Sequence, residues 1–173
     1  MTRTSLRLRR LQESDLDAMR DGFNSGAIAA LTRYIFTLSA AAERYRMRST
    51  PDTYRFTILR DERPIGISTL RPPMYSGMEL TIGIFATEHL GRGIGTYAVA
   101  QTCAFGFNRI GLHRIELGVY PDNLRARRCY EKCGFKEEAL LRSFLYNGGE
   151  YRDVVWMSLL KREWTADQRR MRV

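Results

Sequence analysis

The spacing of apolar and polar side chains changes period several times along the chain, and each change marks an element. Leu6 and Leu8 alternate with Ser5, Arg7 and Arg9, so residues 5–11 read as a strand with one face turned inward. Ser14-Asp15-Leu16-Asp17 then opens a helix with an acid at its third helical position, as in a capping box, and Asn24 and Ser25 break it. Over residues 26–48, Ile28, Leu31, Ile35 and Leu38 recur at helical spacing, which predicts a second helical stretch ended by Pro51-Asp52. Strands are predicted over 54–60, 64–71 and 78–85. A turn at Asp61-Glu62-Arg63 joins the first two, and the breaks at Pro72-Pro73 and Ser76-Gly77 set off the third. The expectation is an antiparallel meander.

The second half alternates longer elements. A helix is predicted over about 93–109 and a strand over 114–120, followed by a turn and cap at Pro121-Asp122-Asn123. A helix over 124–132 ends at Cys133-Gly134-Phe135, and strands 135–146 and 151–160 form a hairpin turned at Asn147-Gly148-Gly149. No internal repeat interrupts this order. The chain has 173 residues, 44% of them apolar, which is enough for one core; residues 1–164 read as a single domain and 165–173 as a polar basic tail.

The candidate chemistry lies where the strand 78–85 leads into Gly91-Arg92-Gly93-Ile94-Gly95-Thr96 and then a helix. Glycines let the main chain fold around a ligand, and a helix N-terminus adds free N–H groups and partial positive charge, so the junction is suited to an anion such as a phosphate. A P-loop would need Lys and Ser or Thr after the glycines, but Thr96 and Tyr97 follow Gly95. A Rossmann turn would need G-x-G-x-x-G and an acid about 20 residues on; the run here is G-x-G-x-G, with Glu116 the nearest acid. The remaining alternative is a glycine-rich turn that binds nothing.

A second segment bears on this choice. With the glycine turn, residues 114–135 resemble the acetyl-CoA-binding core of the GNAT N-acetyltransferases. Leu90-Gly91-Arg92-Gly93-Ile94-Gly95 matches Q/R-x-x-G-x-G/A, with Leu90 in place of the usual Gln or Arg. Val119, Asn123, Ala126, Tyr130, Glu131, Gly134 and Phe135 match V-x-x-x-N-x-x-A-x-x-x-Y-E-x-x-G-F. The resemblance spans about residues 79–164. Glu79-Leu80-Thr81-Ile82, the Gly95-Thr96 pair and residues 151–160 are most similar to the branch of ribosomal-protein N-alpha-acetyltransferases and spermidine acetyltransferases.

The resemblance implies an α+β GNAT fold: a mixed, mostly antiparallel sheet of about six to seven strands with about four helices, and splayed strands that form an acetyl-CoA slot. It implies that the main chain near Ile82, Ile84 and Phe85 pairs with the pantetheine arm. Leu90, Gly91, Arg92, Gly93, Ile94, Gly95 and Thr96 would hold the pyrophosphate, and Asn123, Arg125, Arg127 and Tyr130 would flank the cofactor. Tyr130 takes the family's acid position, protonating the departing thiolate. Asn123 also reads as a helix N-cap. The base stays open. Strand alternation puts Glu79 and Glu116 on faces that reach one slot, a water relay is a further option, and Gly118 stands where some relatives carry a catalytic Glu. Glu88 and His89 precede the cofactor turn, where a histidine reads first as a surface residue.

The composition narrows the partners. There are 28 basic and 19 acidic residues, a net charge of +9, so partners should be anionic, although a solvated basic surface explains the same balance. The Arg-rich stretches lack interleaved aromatics, which makes nucleic acid a weak candidate. Cys103, Cys129 and Cys133 lack metal-ligand spacing and read as reduced, structural thiols; Cys129 is the acyl carrier only if transfer is covalent. No apolar run reaches membrane length, no metal site is expected, and the protein is expected in the cytoplasm, with a homodimer as an option. The leading function is direct acetyl transfer from acetyl-CoA to an amine, first the α-amine of an acidic protein or peptide N-terminus. A small amine such as spermidine, an aminoglycoside or an amino acid is the alternative, and a non-catalytic acyl-CoA sensor is the competing class. The acceptor pocket is expected from residues 22–48 and the hairpin around Phe144 and Tyr151.

Overall fold

The computed structural model describes residues 5–24, 51–72, 77–85, 87–147 and 149–168. The helical stretch expected over 26–48 lies outside them, and so do Gly148 and the arginines at 169, 170 and 172. The strands are β1 Leu6–Arg10, β2 Tyr54–Arg60, β3 Arg63–Arg71, β4 Met78–Ile84, β5 Arg114–Val119, β6 Lys136–Asn147 and β7 Glu150–Leu160. Four α-helices lie among the described residues: α1 Leu16–Asn24, α2 Ile94–Phe105, α3 Leu124–Lys132 and α4 Lys161–Gln168. The seven strands pair in the order β1-β2-β3-β4-β5-β7-β6. The β1–β2, β2–β3, β5–β7 and β6–β7 ladders are antiparallel and β4–β5 is parallel, which is the mixed α+β sheet expected. The chain forms two compact units, residues 1–71 with 81–98 and residues 72–80 with 99–173.

In the first unit, Ile58, Ile65, Ile94 and Ala98 form a buried cluster on which Leu6, Leu8, Ile82 and Ile84 pack. The β2–β3 turn is closed by the Arg60–Arg63 pair, with Asp61 and Glu62 both at positive φ (48° and 63°), the handedness that suits a two-residue hairpin. Helix α1 starts differently from the expectation. A single turn, Glu13–Asp15, precedes it, and the Asp15 carboxylate accepts the Gln12 N–H at 2.9 Å, so the cap lies at Gln12 rather than Ser14. The cause is inward pull on Asp15. Two Arg9 nitrogens donate to it at 2.8 Å and the Thr57 hydroxyl at 2.6 Å, leaving Asp15 2% exposed. Burial acts to raise the Asp15 pKa, but these hydrogen bonds outweigh it and hold the carboxyl below its ordinary range.

In the second unit, Ile115 and Leu117 of β5 and Met157 and Leu159 of β7 are fully buried. The helix expected to run to 109 is α2 followed by a wider turn, Gly106–Ile110, closed by Gly111 at φ 83°. Strand β6 is irregular: its register against β7 shifts between Glu137 and Ala139 and again between Leu141 and Leu145, and Ser143 takes φ 49° while its N–H donates to Asp153 at 2.8 Å. The Asn147–Glu150 pair closes the hairpin where the turn was expected. Helix α4 crosses the expected boundary at residue 164. Trp164 is buried against Phe107, with ring centroids 5.8 Å apart, and the Glu163 carboxylate accepts from the Leu160 N–H at 3.3 Å and from Lys136 at 2.7 Å. These contacts with Lys136 and Phe107 anchor the first turn of a helix that continues into the stretch read as tail.

Candidate active site

The glycine turn belongs to the first unit. Gly91 and Gly93 have φ of 75° and 77°, and a Cβ added to either would meet no atom within 4 Å. Glycine therefore serves the backbone conformation and keeps the space beside it open, rather than relieving a clash. At the start of α2 the Tyr97 N–H donates to the Gly93 carbonyl at 2.9 Å. The N–H groups of Ile94 and Gly95 lie ahead of it and have no acceptor among the described residues. Two free donors at the N-terminus of a 12-residue helix, beside an open glycine surface, have the chemistry that a diphosphate needs. On β4, Ile82 and Ile84 are half-buried. The Phe85 N–H donates to the Ile65 carbonyl at 2.8 Å. His89, expected as a surface residue, has Nδ1 3.2 Å from Arg60; because a guanidinium only donates, that nitrogen accepts.

Tyr130 belongs to the second unit, on α3. The helix begins as expected, with Asn123 Oδ1 accepting the Ala126 N–H at 3.2 Å, and Phe135 folds back so that its N–H reaches the Tyr130 carbonyl at 3.0 Å. The Tyr130 ring packs at 6.0 Å from Phe135, and the residue is 7% exposed. Its hydroxyl has no hydrogen-bond partner among the described residues. Burial, helped by Cys129 and Cys133, pushes the phenol well above its ordinary pKa, so it stays protonated. Cys133 is raised by its hydrogen bond with Cys129 and by burial, and Cys103 by burial. Arg127 Nε donates to Glu137 at 3.0 Å and its Nη1 to the Pro121 carbonyl at 3.1 Å, so it clasps α3 to β6. Arg125 is exposed.

The two candidate bases are neighbours. Glu79 and Glu116 are direct partners in the β4–β5 ladder, which consists of that pair and Met78–Ile115. Glu116 is buried, and its Oε2 accepts from Arg114 Nε at 2.8 Å. The other Arg114 nitrogens grip Glu138 at 3.1 and 2.5 Å, and Ser158 Oγ donates to Glu138 at 2.6 Å. The Arg114 hydrogen bond, then that of Ser158, holds the Glu138 carboxyl below its ordinary range. Glu138 and Ser158 were not found from the sequence. The signal was the i, i+2 spacing of Arg114 and Glu116, which puts a cation beside the candidate base. The space over Gly118 was missed as well. A Cβ there would lie 2.8 Å from Val154 Cγ1 and 3.1 Å from Trp156 Cζ3, so an indole stands where some relatives have a carboxylate.

Residues 5–136 match the acetyltransferase (GNAT) domain model, about three-quarters of the chain. The chain belongs to the GNAT acetyltransferase family. It is 31% identical over 139 residues to the putative ribosomal N-acetyltransferase YdaF of Bacillus subtilis, a match covering 69% of this chain and 76% of that one. It is 35% identical over 81 residues to the spermidine N(1)-acetyltransferase of Vibrio cholerae, and this match spans 47% of each chain, about half the length of that relative. The fold agrees with a crystal structure of spermidine N-acetyltransferase from Vibrio cholerae in complex with CoA and spermine: TM-score 0.81 and 28% identity over 92% of this chain and 98% of that one. The GNAT fold and the acetyltransferase assignment expected from Leu90 to Gly95 and from Val119 to Phe135 thus hold. Among the described residues no group of His, Cys, Asp and Glu is arranged to hold a metal ion, and no helix is long and apolar enough to cross a membrane.

Proposed function

We propose that this acetyltransferase moves the acetyl group of acetyl-CoA directly to the nitrogen of a small primary amine. The observation that carries the reading is Tyr130, whose ring is buried while its hydroxyl keeps an uncommitted proton, within the stretch that matches the family's acid position. The bound coenzyme supplies an activated thioester. The Ile94 and Gly95 N–H groups, with Gly91, Arg92, Gly93 and Thr96 around them, hold its diphosphate. The main chain at Ile82 and Ile84 aligns the pantetheine arm as an added strand would be aligned. As the C–N bond forms and the C–S bond breaks, Tyr130 gives its proton to the departing sulfur. The Glu79–Glu116 pair, directly or through water, takes the proton from the amine. Glu116, held by Arg114, is the fixed member of that pair. Cys129 is not needed as an acyl carrier.

The small amine is preferred because the chain resembles spermidine acetyltransferases both in sequence and over almost the whole fold. The α-amine of a protein N-terminus is the second reading, favoured by the match to a putative ribosomal N-acetyltransferase. Either reaction belongs in the cytoplasm, beside a supply of acetyl-CoA. Tyr130→Phe tests the acid directly. Turnover should fall by about 10²- to 10³-fold, the scale of one positioned proton donor, while the acetyl-CoA Kd stays within about twofold. Unchanged turnover would remove Tyr130 from the role.

A further inference from the structure

One face of the β5–β7–β6 sheet is divided by chemistry. Gly118 pairs with Trp156 and Glu116 with Ser158, so these four residues share a face, which also carries Arg114, Tyr120, Arg152 and Val154 by strand alternation. At one end lie Glu116, its ladder partner Glu79, and Arg114 with Glu138. Two residues along β5, about 7 Å away at the rise of a strand, Gly118 is exposed although β5 is an interior strand. The indole of Trp156 leans over it, and Phe144, 55% exposed, meets that indole edge-on at 6.1 Å and 64°. Phe144 is placed there by the β6 irregularity at Ser143. Further along the same face, the Arg152 guanidinium lies 4.4 Å over the Tyr120 ring and pairs with Asp122 at 2.7 Å.

We infer that Trp156, with Phe144, is the specificity wall of the acceptor site, and that the acceptor is a primary amine bearing a flat apolar arm rather than a polycation. This rests on the acetyltransferase reading above and names its substrate class. The amine nitrogen lies toward the carboxylates, and its apolar arm lies beside Gly118 against the Trp156 indole and Phe144. A linear polyamine along this face would set methylenes rather than a ring against the indole, and the Arg152 guanidinium is already paired with Asp122 and Glu150. An aromatic arm gains both burial and ring contact from Trp156 and Phe144.

The test compares 2-phenylethylamine with spermidine, measured by thiol release from acetyl-CoA. Wild type should prefer 2-phenylethylamine in kcat/KM. Trp156→Ala should lower that value about tenfold, mainly through KM, the scale of one aromatic contact, with spermidine and the acetyl-CoA Kd changing by less than about twofold. Trp156→Phe, which keeps a flat ring, should recover most of the loss. Of the two tryptophans, Trp156 and Trp164, the latter is buried, so 2-phenylethylamine should also perturb the intrinsic fluorescence of wild type and not of Trp156→Phe. A preference for spermidine, or equal losses for both amines in Trp156→Ala with coenzyme binding intact, would overturn the inference and leave the acetyltransferase reading standing. Failure of every amine to release thiol would instead overturn that reading.

Discussion

Tyr130 and Asp15 are both buried ionisable residues, and their surroundings move them in opposite directions. Burial raises the Tyr130 pKa, so the neutral phenol contributes fully to stability below the ordinary tyrosine value and that contribution decays only as pH rises past it. The pH profile of kcat/KM should therefore show no alkaline loss from this group below about pH 10; a tyrosine-dependent limb near neutrality, one that Tyr130→Phe abolishes, would contradict the burial account. Asp15 is lowered by Arg9 and Thr57 despite its burial, so its contribution is present above the ordinary carboxylate value and is lost as pH falls through the lowered one. Asp15→Asn leaves the Arg9 charge without its partner and should cost about 2–4 kcal/mol of unfolding free energy at neutral pH, with the deficit shrinking in acid. Denaturant titration at two pH values would check this, and a deficit that grew in acid would reverse the assigned sign. Asp15 was visible in the sequence as a capping acid. Its inward pairing was not, because Thr57 is 42 residues away.

At the scale of elements, periodicity located β1 to β7, α1, α2 and α3 to within a few residues, since each has one face or one stripe to bury. It missed α4, which begins at Lys161, carries Trp164 onto Phe107 and runs on past the boundary expected at residue 164. It also missed the β6 irregularities, which place Phe144 on Trp156 and depend on cross-strand partners rather than on local pattern. The glycine turn was legible because a positive-φ backbone and an anion cradle call for the same residues. Gly93→Val separates the two. The open space around Gly93 admits the side chain, and the positive φ costs about 1–2 kcal/mol locally, so the protein should stay folded with acetyl-CoA affinity down at least about tenfold. Isothermal titration calorimetry would show it; unchanged affinity in a folded variant would detach the diphosphate from this turn.

For the whole molecule, the family was legible in two short stretches, Leu90 to Gly95 and Val119 to Phe135, while the acceptor was not. The surplus of basic residues pointed toward an acidic protein partner, yet much of it falls in stretches outside the described residues: Arg33, Arg44, Arg46 and Arg48 in one, Arg169, Arg170 and Arg172 in another. A net charge averages over such segments and says little about the surface beside Gly118, where Trp156 and Phe144 stand. The most direct measurement incubates the protein with acetyl-CoA and a panel of small primary amines, following free coenzyme thiol and the mass of the amine together. The account expects thiol and N-acetylated amine to appear in equal amounts, with no acetylated cysteine on the protein at any time. Thiol release without an acetylated amine, or acetyl first trapped on Cys129, would contradict it.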